Sequence, residues 1–210
     1  MPYRPTEATR RNAELKRAGF LRAARELVAA RGFGAATVAA IAAECAASVG
    51  SVYSYFDGRE DLLAEVFRSA AGHELEVVRK AVAEAGPGAP ERLDVVIRTF
   101  AGRALRGRRM AWSLLFEPVT PAVEAERLVY RRSYTDLIAE ILRDGVATRA
   151  FAAQDTTLAA SAVLGAISEA LIGGLRPSDG DEPAPSPDGA AIVEGIRLFC
   201  FRALGTEETL

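Results

Sequence analysis

Apolar side chains return every three or four positions along most of this chain, and glycine, proline and short polar stretches punctuate the runs. From about Thr9 to Arg31, Leu21, Ala24 and Val28 fall at helical spacing with Phe20 and Leu27, and Gly32 follows where a helix should stop. Thr37 then stands as an N-cap before Val38, Ile41, Ala42 and Cys45, whose spacing predicts a short second helix with Cys45 as a small core hydrophobe. Only Ala46 and Ala47 precede Ser48, another N-cap, after which Val52 and Phe56 share one face. Two short helices are expected to meet at a tight turn, the second running for about nine residues.

Farther on, "GPGAP" at 86–90, "EPVTP" at 117–121 and "RPSDGDEPAPSPDG" at 176–189 divide the chain into helical segments near 61–85, 91–116, 121–147, 155–175 and 190–204. The last break, rich in proline and acidic residues, reads as a mobile surface loop. Neither an internal repeat nor strand-like alternation is present in the sequence, so the expected fold class is all-α. "TTLAASAVLGAISEALIGGL" at 156–175 is apolar nearly all round, which means burial on more than one side. A membrane span competes with that reading, but the Ala, Gly and Ser content and Glu169 count against it. The closing "AAIVEGIRLFCFRALG" offers Ile192, Val193, Ile196, Phe199, Cys200 and Leu204 for burial.

The second short helix carries chemistry on its other face. With Val52 and Phe56 inward, a step of about 100° per residue turns Gly50, Ser51 and Ser54 outward and sets Tyr53 and Tyr55 on the flanks. A face that is small in the middle and bears hydroxyls at its edges suits a helix in the DNA major groove, about 12 Å wide, where backbone nears base edges and hydroxyls reach phosphates. Taken alone, the segment equally reads as a helix with half-buried edge tyrosines and a weak spot at Gly50.

Charge sharpens the choice a little. Residues 1–35 hold eight basic side chains (Arg4, Arg10, Arg11, Lys16, Arg17, Arg22, Arg25, Arg31) against Glu7, Glu14 and Glu26, although the whole chain has a net charge of −2. Two distant cysteines argue against a disulfide framework and for a reducing cytoplasm, and with His73 alone to join them no metal site is expected. The polar N-terminus lacks the apolar core of a signal peptide. Arginine far outnumbers lysine, which occurs only as Lys16 and Lys80, and with abundant alanine this suggests a GC-rich bacterial genome.

At residues 21–63, "LRAARELVAARGFGAATVAAIAAECAASVGSVYSYFDGREDLL" resembles the N-terminal domain of TetR-type bacterial regulators. The shared pattern is an apolar helix, Gly, Thr, Ile-Ala, a turn, Ser, Gly, a Tyr-x-Tyr-Phe helix end, then a basic residue, Glu and Leu. The resemblance implies a three-helix helix-turn-helix head over 1–65, with the motif at about 37–56, and a helical effector-binding and dimerisation domain over 66–210. It also implies DNA contacts: Thr37, Tyr53 and Tyr55 at phosphates, Ser48, Gly50 and Ser51 facing the groove, and Arg59 as the basic phosphate clamp. Two residues depart from the pattern. Ala46 replaces the usual turn glycine, at a cost on the order of 1 kcal/mol if it is left-handed. Val49 replaces a polar reader and stands either in the core or against a thymine methyl.

For the second domain the resemblance implies a homodimer whose last two long helices pair with their mates, and the apolar pattern nominates Leu164, Ile167, Leu171, Ile192, Ile196 and Phe199 for the interface. Phe100, Trp112, Phe116, Tyr130 and Tyr134 are either ordinary core or, with Glu169 as polar anchor, the lining of a largely apolar effector pocket. No nucleophile with a base partner and no phosphate loop is written in the sequence, so an enzyme is not expected, nor a cofactor. The expected function is a cytoplasmic, ligand-responsive repressor that binds a palindromic double-stranded DNA operator and is released by a small molecule, with no membrane partner. The competing reading is a helical small-molecule-binding module without a DNA role.

Overall fold

A computed structural model describes residues 7–176 and 188–205, and among these every regular element is helical. The order is α1 (Glu7–Arg31), a 3-10 turn (Phe33–Ala35), α2 (Val38–Glu44), α3 (Val49–Tyr53), α4 (Arg59–Ala83), α5 (Ala89–Arg106), α6 (Arg108–Leu115), α7 (Pro121–Ala147), α8 (Thr156–Ala170), α9 (Ile172–Leu175) and α10 (Gly189–Ala203). Most of the 176–189 segment expected as a mobile loop lies outside the described residues.

The described residues form two compact units, one within 1–70 and 117–126, the other within 71–116 and 127–210. In the first, Phe20, Ala24, Leu27 and Val28 of α1 close over Ile41 and Ala42 of α2, Val52 of α3 and Leu62, Leu63 and Phe67 of α4, all buried. Thr37 caps α2 by accepting from the Ala40 N–H at 3.1 Å, and Ser48 caps α3 by accepting from the Ser51 N–H at 3.2 Å. Cys45 is not core: α2 ends at Glu44, and Cys45 is its half-buried C-cap, its thiol directed at the Gly19 carbonyl at 3.6 Å. Desolvation raises its pKa above the usual thiol value.

In the second unit α5 packs on α8 and α10 around Leu93, Val96, Ile97, Ile138, Leu142, Ile167 and Leu171. The stretch expected as one helix over 91–116 is two, broken at Gly107, which fits a residue that costs a helix interior about 1 kcal/mol. The apolar 156–175 run, long and apolar enough by composition to cross a membrane, is likewise broken at Leu171. Gly174 there allows close approach, since a Cβ at that position would meet Leu105 Cδ2 at 3.0 Å and Ile192 Cδ1 at 3.4 Å.

The expected interface set needs correction. Leu164, Ile167, Leu171 and Ile196 are buried within the protomer, Ile192 is half-buried, and only Phe199 stands exposed. On a helix apolar all round, the large side chains go to the protomer's own core. The outer faces keep small residues such as Ser161, Ala162, Ala170, Ala191 and Gly195, with Leu158 and Phe199 projecting at 70% and 62% exposure.

Candidate nucleic-acid interface

Short-range chemistry shapes the outer face of α3. Ser48 and Ser51 share a hydroxyl contact of 2.9 Å, and the Ser54 hydroxyl donates to the Gly50 carbonyl at 3.1 Å, so both hydroxyl sets are held in place before any partner arrives. Val49 is 43% exposed, which removes the core alternative for it. Gly50 is open: a Cβ there would meet nothing nearer than Ser48 Oγ at 3.9 Å. The fold itself therefore gives no reason for a helix-weakening glycine at this position.

The tyrosines divide. Tyr53 stands out from the surface, whereas Tyr55 is half-buried with its ring 5.8 Å from that of Phe20, so its ring is largely a packing element. Helix α3 is also shorter than expected, five residues, with Tyr55 and Phe56 N–H groups still donating to the Val52 carbonyl beyond its end. In the turn, Ala46 has φ 48° and so carries the left-handed strain that a glycine would avoid.

Not all the front-end positive charge is available to a partner. The Arg17 guanidinium grips both carboxylate oxygens of Glu65 and lies 4.7 Å over the Phe56 ring, and the Glu65 hydrogen bond raises its pKa further. Arg59 differs from the expected free clamp: its Nε donates to the Ala36 carbonyl at 3.1 Å and its Nη2 to the Phe33 carbonyl at 2.7 Å. Between α1 and the turn lies a groove of about 560 Å³ bordered by Lys16, Arg22, Glu26, Glu44, Ser48 and Ser51, mixed in charge.

In the second unit the aromatic residues do come together in pairs. Phe100 meets Tyr134 edge-on at 5.1 Å and Trp112 meets Phe116 at 5.4 Å, and these residues with Tyr130 pack against the core cluster. Tyr134 is buried, and desolvation pushes its hydroxyl far above the ordinary tyrosine value. Glu169 is not among them; it is exposed on the outer face of α8, a correction to its expected role as anchor. The polar group that the sequence reading missed is Ser113, fully buried between Trp112 and Leu114 in the chain, whose hydroxyl has no hydrogen-bond partner. A serine inside "MAWSLLF" was the available signal. Among the described residues no group of His, Cys, Asp and Glu is placed to hold a metal.

Two family models match this chain: "Bacterial regulatory proteins, tetR family" over residues 20–66 and "Tetracyclin repressor-like, C-terminal domain" over 86–171. The chain belongs to the TetR family. It is thus a DNA-binding transcriptional regulator, and regulation rather than catalysis is the family's activity. Among solved structures, the regulator FadR from Bacillus subtilis in complex with stearoyl-CoA has a TM-score of 0.72 at 21% identity, covering 88% of this chain and 97% of that one. FadR from Bacillus halodurans, a fatty acid degradation regulator, gives 0.70 at 21% identity over 88% and 97%. A TetR/AcrR-family regulator from Thermobifida fusca gives 0.66 at 24% identity over 89% and 96%. These identities speak to fold. No curated protein matches the chain.

Proposed function

We propose that this TetR-family protein is a ligand-responsive repressor that binds a palindromic operator as a homodimer and leaves it when a small molecule binds. The head, residues 1–65, makes the DNA contacts through Thr37, Ser48, Val49, Gly50, Ser51, Tyr53 and the Tyr55 hydroxyl. Residues 66–210 form the effector-binding and dimerisation domain. What carries the reading is Gly50, an exposed helical glycine with open space above it and preset serine hydroxyls beside it, as close backbone approach to base edges requires.

One five-residue helix touches few base pairs, so specificity calls for two heads, with half-sites about 34–36 Å apart or a multiple of that. The exposed Phe199 and Leu158, set among small residues on α10 and α8, supply an apolar face for the two-fold contact. The effector is largely apolar and sits among Phe100, Trp112, Phe116, Tyr130 and Tyr134, with the Ser113 hydroxyl as polar anchor. Stearoyl-CoA, the ligand in the Bacillus subtilis structure, is the first compound to try. Such a protein works in the cytoplasm, where operator and effector are both within reach.

The test is a gel shift on the DNA upstream of the gene, with and without added stearoyl-CoA. A discrete complex that is released by an acyl-CoA supports the whole reading. Absence of any complex favours the helical binding module, and a complex indifferent to acyl-CoAs removes that effector class.

A further inference from the structure

Arg59 opens α4, where a cation faces the positive end of the helix dipole and gains nothing from it. Glu60 and Asp61, the residue types that such an end favours, follow directly. What Arg59 has instead is a pair of carbonyl oxygens, those of Phe33 and Ala36, both residues buried. A planar guanidinium serves two such acceptors from one fork, which the point charge of a lysine does not reproduce. The Phe33 ring also lies 6.1 Å from that of Phe67, so segment 33–36 is fixed to α4 at one polar and one apolar point. Thr37 comes next, its backbone N–H donating to Ala35 and its hydroxyl oxygen capping Ala40.

We propose that Arg59 serves DNA binding as a positioning residue: its fork on the Phe33 and Ala36 carbonyls fixes where Thr37 and the first turn of α2 stand, and it is not a cation on the DNA backbone. The inference rests on the DNA-binding reading above and reassigns one residue within it. Position, not charge, is what the guanidinium contributes.

The experiment measures operator affinity over a range of salt for the full-length wild type, Arg59→Lys, Arg59→Gln, Thr37→Ala and the Thr37→Ala/Arg59→Gln double variant, with amide hydrogen exchange on each. Both Arg59 variants are expected to bind about tenfold more weakly, with a salt slope equal to that of the wild type. In the Thr37→Ala background, Arg59→Gln should add less than about a further twofold, because the two act through one contact. Exchange protection should fall at 33–40 alone. Wild-type affinity for Arg59→Lys, together with a slope reduced by about one unit for Arg59→Gln, would overturn the proposal in favour of a phosphate contact. Additive losses would overturn the route through Thr37, and protection lost throughout α1 and α3 would make Arg59 a general scaffold residue. If the wild type binds no upstream DNA, the DNA-binding reading itself fails, while the exchange result still decides whether Arg59 holds segment 33–36.

Discussion

The head and the helical body of this protein use apolar and small residues in opposite ways. In the head, the short helices α2 and α3 bury three residues and one residue respectively, so their remaining positions face outward with a definite character. In the body, α8 and α10 are apolar on several sides, and the large side chains are taken by the protomer core while small ones are left outside. An exposed apolar residue therefore has a different setting in each: Val49 lies on a five-residue helix among serines and a glycine, whereas Phe199 and Leu158 project from long helices among small residues.

The sharpest way to break that contrast is to place a charge on either side of α10. Ile196→Asp puts an unpaired carboxylate in the core and should cost at least about 3 kcal/mol, enough to unfold the body in a thermal melt. Phe199→Glu should leave the melt nearly unchanged and shift light scattering from dimer to monomer. A well-folded Ile196→Asp protein, or an unfolded Phe199→Glu protein, would reverse the assignment of the two faces.

Capping explains why so much of the head was legible. Thr37 and Ser48 sit where the cap hydrogen bonds are, and Val52 and Phe56 are buried, because caps and a one-turn apolar pair depend on neighbours three or four residues away. Arg59 was not legible, since its partners lie 23 and 26 residues back in the chain and a basic residue in that place reads as a phosphate contact. The body is less legible for another reason. When a helix is apolar all round, its pattern does not say which face turns inward, so the sequence alone points Leu164, Ile167, Leu171 and Ile196 outward and Glu169 inward, the reverse of where they stand. The break at Leu171 is hidden because the apolar run continues across it, whereas the one at Gly107 falls in the polar stretch Arg106-Gly107-Arg108-Arg109, where a single glycine reads as part of a helix interior.

A smaller effect tests the turn of the head. Ala46→Gly should relieve the left-handed strain at φ 48° and raise stability by about 1 kcal/mol, seen as a melting temperature a few degrees higher. An unchanged or lower value would mean that the surrounding turn already compensates the methyl group. The smallest change is expected at the body's orphan hydroxyl: Ser113→Ala should stabilise the ligand-free protein by less than about 1 kcal/mol. The same variant should bind an acyl-CoA effector more weakly in a calorimetric titration, and equal affinity would remove Ser113 as the anchor.

If DNA fills the space over Gly50, fluorescence anisotropy of wild type and Gly50→Ala on the operator will register it. The added methyl meets only Ser48 Oγ, at an ordinary 3.9 Å, so Gly50→Ala should keep or gain stability, by up to about 1 kcal/mol. Its operator affinity should nevertheless fall by about tenfold or more, equivalent to about 1.4 kcal/mol, because the methyl group enters the space that base edges occupy. A Gly50→Ala protein that binds the operator as tightly as the wild type would mean that no base edge approaches Gly50.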